Sequence, residues 1–372
     1  MEIEAILEPD PIDLSFREEP ASEPIPEGEG HLLVVDLWAF GESWSEVQAT
    51  YGTVENLYAA ILDRLDAIRN LKEACRAQTE EICIPFRLDP IQSGISGSYF
   101  LLDGEERPLY VIKPIDEDAG CLNNPKWFRS PFEMSPIREH MPLYCAPFRE
   151  VATYDIACLI GVDGVAPKTV LTILDSPSFY DFSESVAREE LFSYEMQVGP
   201  PDKEKLCSAQ EYVPNSQTLS AVVQELQAME LNDEEIAARF DQNDFEDANI
   251  LIWTTYDTDA HRGNILCYPK GTDALGNEIL GLKKIDNGLA FPEENQELRN
   301  ALAYLPNATK PLSEEARTKI ASIDVDAVAE KLKTHHLDTS IKALRERMES
   351  LKTLAQDRSL TIQEINRAMR YL

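Results

Sequence analysis

Between Val54 and Cys75, apolar residues recur at steps of three and four: Val54, Leu57, Tyr58, Ile61, Leu62, Leu65, Ile68, Leu71 and Cys75. That spacing predicts one helix with one buried face. The run covers only about three heptads, so the face is expected to pack on the body of the protein rather than in a coiled coil. After Ile91 the period shortens. Ser96–Leu102 and Leu109–Ile112 read as two strands around an Asp103-Gly104 turn. Phe148–Ile160 reads as a helix with Val151, Tyr154, Ile156 and Leu159 apolar, and Val165–Leu174 and Leu206–Val213 read as strands. Helices then dominate, at 217–230, 233–239, 244–257, 324–337, 339–356 and 361–371. Thr361 and Glu364 form a capping box for the last of them. No internal repeat interrupts the order. The pattern predicts an α+β fold, a mixed-sheet lobe followed by a mainly helical lobe.

Composition adds boundaries. The chain has 372 residues, 43% of them hydrophobic, which is enough for a sizeable core. Residues 1–30 are Glu-, Asp- and Pro-rich with Arg17 as their one basic residue, and read as a disordered acidic tail. Residues 31–89 read as a helical extension, 90–215 as the first lobe and 216–372 as the second. The start lacks a basic stretch before an apolar run, so no secretory signal is expected. No run of about 20 apolar residues exists, so no transmembrane segment is expected and at most peripheral membrane contact. Seven cysteines with no Cys-x-x-Cys pair point to reduced thiols and a cytoplasmic setting.

The formal net charge is −33. Such acidity argues against a nucleic-acid partner. It is uneven: residues 310–372 hold twelve Lys/Arg and ten Asp/Glu, a balance of +2, which leaves −35 on the first 309 residues.

The candidate chemistry lies in two clusters. Asp259-Ala260-His261-Arg262-Gly263-Asn264 supplies an acid and, five residues on, an asparagine; Asp286-Asn287-Gly288 supplies a second acid some twenty residues later. Phosphoryl transfer uses such a set. One carboxylate orients or deprotonates the attacking hydroxyl, while the asparagine and the second carboxylate hold magnesium against nucleotide phosphates. Asp259 is preferred over His261 as the base. Upstream, Lys113 ends the strand-like Tyr110-Val111-Ile112 and is the expected partner of the phosphates. The small residues Ser96-Gly97-Ser98 let backbone amides approach phosphate oxygens. Glu150, in the helix that follows, is the candidate partner of Lys113. Each piece has a bland counterpart: an ordinary turn at Ser96–Ser98, a solvated lysine, a Glu150 paired with Arg149, a hairpin turn at Asp286-Asn287-Gly288. The order of the pieces along the chain carries more weight than any one of them. His335-His336 lacks companions at ligand spacing.

Longer motifs resemble a known family. Ser96-Gly97-Ser98-Tyr99-Phe100, Val111-Ile112-Lys113-Pro114 followed by Asp116-Glu117, Leu122-Asn123-Asn124-Pro125-Lys126-Trp127, and Ile285-Asp286-Asn287-Gly288-Leu289-Ala290-Phe291-Pro292 are similar to phosphatidylinositol 3- and 4-kinases. The likeness is closest to type II and plant gamma-type phosphatidylinositol 4-kinases; Phe148-Arg149-Glu150-Val151-Ala152 followed by Tyr154 looks like the gamma type. It covers roughly residues 90–310. The resemblance implies a two-lobed protein-kinase-like fold and a kinase that uses ATP and Mg2+. Lys113 and Ser96–Ser98 would meet the phosphates. Gln210, Glu211, Tyr212 and Val213 would form the adenine hinge. Asp259 would be the catalytic acid, and Asn264 and Asp286 would hold the metal. A phosphoinositide headgroup is the leading acceptor, a protein Ser/Thr hydroxyl the second, and a nucleotide-binding pseudokinase scaffold the alternative without catalysis. Type II enzymes carry a cysteine-rich palmitoylation segment; here residues 128–147 contain only Cys145, one anchor signal at most.

Overall fold

The computed structural model describes residues 49–126, 141–181, 202–294 and 296–372. The expected acidic tail, Trp127 and most of the segment 128–147 lie outside the described residues. The chain forms two compact units. One contains the described residues up to Pro147 together with Val170–Gln210; the other contains Phe148–Thr169 and Glu211–Leu372.

The first unit is built on a five-stranded sheet of order β1-β2-β3-β5-β4, from β1 (Arg87–Pro90), β2 (Tyr99–Leu102), β3 (Pro108–Pro114), β4 (Thr169–Asp175) and β5 (Glu204–Glu211). β1, β2 and β3 form an antiparallel meander with Tyr99 opposite Pro90 and Ile112. The predicted Asp103-Gly104 turn joins β2 to β3, and the Asp103 carboxylate accepts the backbone N–H groups of Glu105 and Arg107. β1 was not legible in the sequence pattern. It is an edge strand ending in Pro90, the position where a sheet tolerates a residue without an N–H. Leu88, Tyr99, Leu101, Ile112, Leu174, Phe179, Cys207 and Ala209 form the core. The helix α1 (Val54–Cys75) is present as expected, started by the Thr53 side chain. It is tied to this unit by Lys72, whose ammonium reaches Asp202 at 2.9 Å and the Glu204 carbonyl at 2.7 Å. The bond to Glu204 joins a helix to a strand 132 residues away, which supports packing on the body.

The second unit takes in α2 (Ala146–Leu159) from Phe148 onward, a three-stranded antiparallel sheet, and the helices. Its strands are β6 (Gln217–Thr218), β7 (Ile265–Thr272) and β8 (Glu278–Lys284). Helix α3 (Leu219–Ala228) begins two residues later than its periodicity predicts, because Gln217 and Thr218 pair with Cys267 and Leu266 and the Thr218 hydroxyl caps the helix. After the short α4 (Asp233–Ala237) comes α5 (Gln242–Thr255), started by Asp241. Asp244 fastens α5 to the hairpin: its carboxylate accepts from Lys270 at 2.6 Å and from the Leu282 N–H at 3.1 Å. Helices α6 (Glu314–Ser322), α7 (Val325–Thr334), α8 (Ile341–Gln356) and α9 (Ile362–Met369) complete the unit, the last with the predicted capping box. α6 was missed, since it buries only Ala316, Arg317 and Ile320, and a buried arginine breaks the apolar stripe. Arg317 is inside because its guanidinium caps the carbonyls of Ala355 and Asp357 at the end of α8.

The α+β class, with the larger sheet ahead of most of the helices, is the expected one. All seven cysteines are free thiols, and no described helix is long and apolar enough to cross a membrane.

Candidate active site

Asp259, Asn264 and Asp286 come together within the second unit. Helix α5 ends on Tyr256 in the left-handed conformation, with φ of 48°, so the chain turns abruptly into Asp257-Thr258-Asp259. The Asp257 carboxylate accepts the Asp259 N–H at 2.7 Å. Asn264 closes the loop by donating its Nδ2 to the Asp259 carbonyl at 2.9 Å. With Nδ2 committed, the carboxamide oxygen is what Asn264 has left to offer a cation. His261 Nδ1 accepts the Gly263 N–H at 2.9 Å, which places the ring proton on Nε2, 3.7 Å from Asp259 Oδ2. A Cβ on Gly263 would stand 2.7 Å from that ring, so the residue at 263 must be glycine for His261 to sit there. Arg299 reaches Asp259 Oδ1 at 3.3 Å. His261 is thus a neighbour of the acid.

The hairpin delivers the second acid. Ile265 pairs with Lys284, and one step beyond, the Ile285 N–H donates to the Asn264 carbonyl at 3.0 Å. Asp286 follows at φ of 56°, exposed. A left-handed residue other than glycine costs about 1–2 kcal/mol, less for aspartate, and such strain gathers at functional sites. Asp286-Asn287-Gly288 is not the hairpin turn. That turn lies at Asp273–Asn277, where Asp273 accepts from the N–H groups of Leu275 and Asn277. The segment after Asp286 is laced back to the end of α5 and the start of the Asp259 loop: Thr258 N–H and hydroxyl both meet the Leu289 carbonyl, and the Phe291 N–H meets the Thr255 carbonyl at 2.8 Å. Among the described residues no group of three or more His, Cys, Asp or Glu side chains is assembled that could hold a metal.

The remaining expected residues lie elsewhere. Lys113, half-buried near the end of β3, and Ser96–Ser98, ahead of β2, belong to the first unit. The Gly97 N–H is already given to the Glu117 carbonyl at 2.7 Å, and a Cβ there would stand 2.6 Å from the Glu117 carboxylate. The Ser96 hydroxyl is bonded to Asp118 at 2.5 Å. These contacts fold Ser96-Gly97 onto residues 116–124. Glu150 is buried on α2, in the second unit. Gln210 closes the first unit and Glu211 opens the second, so the division falls inside the segment read as a hinge. Glu211 N–H donates to the Lys168 carbonyl, and the Val213 carbonyl accepts from Ser216; Tyr212 is 36% exposed.

Sequence reading missed two buried lysines. In the first unit, Lys205 meets Glu117 at 2.8 Å and Asp116 at 3.0 Å. Tyr99 donates its hydroxyl to the other Glu117 oxygen, and the Tyr180 N–H donates to the one that Lys205 holds. Burial pushes Glu117 up to about 7, with the Asp116 charge adding to it and Lys205 opposing. Lys205 itself is raised by its two carboxylates, which outweigh its own burial. In the second unit, Lys284 meets Asp257 at 2.6 Å. Both lysines had a signal. Lys205 shares a strand face with Cys207 and Ala209, and Lys284 with Leu282, at the spacing of two that marks inward positions.

No family model matches the chain. It is 25% identical over 245 residues to phosphatidylinositol 4-kinase gamma 5 of Arabidopsis thaliana, covering 64% of this chain and 34% of that protein. It is 26% identical over 265 residues to the gamma 3 protein of the same plant, covering 66% of this chain and 40% of that protein. To phosphatidylinositol 4-kinase type 2-beta of Mus musculus it is 28% identical over 273 residues, with 62% and 55% covered. The chain therefore spans about a third to a half of the length of these curated relatives. It is similar to phosphatidylinositol 4-kinases of both the plant gamma group and the mammalian type 2 group, the likeness its motifs had suggested.

Proposed function

We propose that this chain is an ATP- and magnesium-dependent phosphotransferase that acts on a phosphoinositide headgroup. The observation that carries the reading is the convergence of Asp259, Asn264 and Asp286 across one hairpin, with Asn264 bonded to the Asp259 backbone and to Ile285. The donor set fits magnesium, which favours hard oxygens and takes one or two carboxylates plus substrate phosphates rather than a cage of protein side chains. Asn264 and Asp286 would hold the ion, and bound there it would neutralise charge developing on the transferred phosphoryl group.

Asp259 orients the acceptor hydroxyl and takes its proton. Arg299 at 3.3 Å and His261 Nε2 at 3.7 Å flank the carboxylate and orient it for that role. Lys113 and the Ser96–Ser98 turn bind the nucleotide phosphates, and Gln210–Val213 offers backbone groups to the adenine. The names of the relatives support the lipid acceptor. A protein hydroxyl is the second reading, favoured by one observation: the first 309 residues carry −35, and an anionic leaflet attracts basic surfaces rather than acidic ones.

Incubation with labelled ATP and magnesium, with phosphatidylinositol vesicles in one reaction and candidate proteins in another, separates the two acceptors. Asp286→Asn should lower turnover at least about 10²-fold, the scale of losing one strong electrostatic stabiliser, with the fold intact. Undiminished turnover in that folded variant would remove Asp286 from the mechanism.

A further inference from the structure

The two acids of the site are connected through a buried cation that none of the roles above uses. Lys284 ends β8 with only 1% of its side chain exposed, and Asp257 is fully buried. The ammonium of Lys284 donates to the Ile285 carbonyl at 2.6 Å and to the Asp286 carbonyl at 3.3 Å, and forms an ion pair with Asp257 Oδ2 at 2.6 Å. The other Asp257 oxygen accepts the Asp259 N–H. The path is continuous, from the Asp286 backbone through ammonium and carboxylate to the Asp259 backbone. It runs beside the direct bond between Ile285 and Asn264.

We infer that Lys284 and Asp257 are a positioning pair. They fix the left-handed turn at Asp286 against the loop that carries Asp259 and Asn264, and so set the spacing between the metal-binding carboxylate and the base. Holding the fold alone would not call for charge here, since well-packed apolar residues replace a buried ion pair at little or no cost to stability. What apolar residues cannot do is grip two successive carbonyls on either side of a strained φ. The pair acts on backbone: it holds the Asp259 N–H and the Ile285 and Asp286 carbonyls, and so determines where the Cα atoms of the two acids stand. The inference rests on the phosphotransferase reading for what is positioned, while the geometry stands without it.

The test uses the full chain and the double variant Lys284→Met/Asp257→Asn. It removes both charges together, so no unpaired ion is left in the core. Its melting midpoint should stay near that of the parent. Two readouts follow. A fluorescent ATP analogue is titrated with excess magnesium and then with EDTA. The magnesium-dependent gain in affinity should fall about tenfold or more, as when a supporting contact behind a metal ligand is lost, with metal-free affinity unchanged. Amide hydrogen exchange should quicken at least about tenfold at Asp259 and Ile285 and not in α8 or α9, the mark of a local opening. Parental protection at Asp259 and Ile285 in the folded double variant would overturn the pair's positioning role, as would an undiminished magnesium gain. If the parent itself shows no magnesium gain, the phosphotransferase reading falls, and exchange still decides the role of the pair. If the double variant fails to fold, the single variant Lys284→Arg keeps the charge and must retain Asp259 protection; its loss there would show that the pair's chemistry is not what holds the loop.

Discussion

Lys205 and Lys284 are the same device used with different charge balances. Each is a strand lysine in an inward position, each lies almost out of reach of solvent, and each grips carboxylate and backbone carbonyl together. Lys284 faces one carboxylate. Lys205 faces two, Asp116 and Glu117, and additional donors on Glu117 come from Tyr99 and Tyr180. Removing charge from water is costly, and only close pairing offsets it. One cation beside one anion leaves no excess; one cation beside two leaves a surplus carboxylate. Glu117, fully enclosed, is that surplus: burial pushes its carboxyl up to about 7, and the Asp116 charge adds to the rise while Lys205 opposes it. A balanced pair serves to fix geometry, and an unbalanced one also titrates.

Removing the cations separates the two sites by the largest expected effect. Lys205→Met strands two buried carboxylates and should destabilise the protein by about 3–5 kcal/mol in urea unfolding. Lys284→Met strands one and should cost measurably less. Equal losses would mean that the second carboxylate at Lys205 is already neutral.

The titration comes next in size. Glu117 has an ordinary value of 4.5 and a folded value of about 7. Between those values the native state binds more protons than the unfolded chain, so stability falls as pH rises through this window. The contribution is complete below about 4.5 and gone above about 7, a change of up to about 3 kcal/mol. Glu117→Gln should flatten this part of the profile of unfolding free energy against pH. An unchanged slope would assign the dependence to another group. The smallest effect is expected from Tyr99→Phe, which deletes one donor to Glu117 and keeps the ring contact with Phe179. It should cost about 1.5–3 kcal/mol at neutral pH, the range for a hydrogen bond to a charged group, and less at pH 5 where Glu117 is protonated.

The strengths and failures of sequence reading follow from the same physics. That the Asp259–Asn264 loop and the Asp286 segment lie side by side was legible, because short motifs in a fixed order along the chain are themselves a signal. The β2–β3 hairpin and the helices after Glu211 were legible from periodicity and caps, since one face of each is buried. β1 and α6 were not, because an edge strand ending in proline and a helix that buries an arginine lack an apolar stripe. The two lysines were hidden by a composition rule: lysine is rarely buried unless paired, and pairing joins residues far apart in the chain, Lys205 with Glu117 and Lys284 with Asp257. Gly97 reads in the sequence as room for a phosphate, and in the fold its missing side chain also accommodates Glu117. Local sequence does not distinguish a glycine kept clear for a ligand from one kept clear for a neighbouring carboxylate.

The segment just beyond the Asp286 turn is held from outside by one helix and the turn before it. The Ser340 hydroxyl donates to the Phe291 carbonyl, and Arg347 on α8 caps the carbonyls of Pro292 and Glu294 while its guanidinium stacks 3.9 Å from the centre of the Tyr256 ring. Tyr256 is the residue that turns the chain into the loop carrying Asp259 and Asn264. Helix α8 therefore touches both approaches to the site without supplying any group to it. A partner that docked on the outer face of α8 and shifted it would change affinity for whatever the loops bind, and by thermodynamic reciprocity that ligand would change the partner's affinity by the same factor.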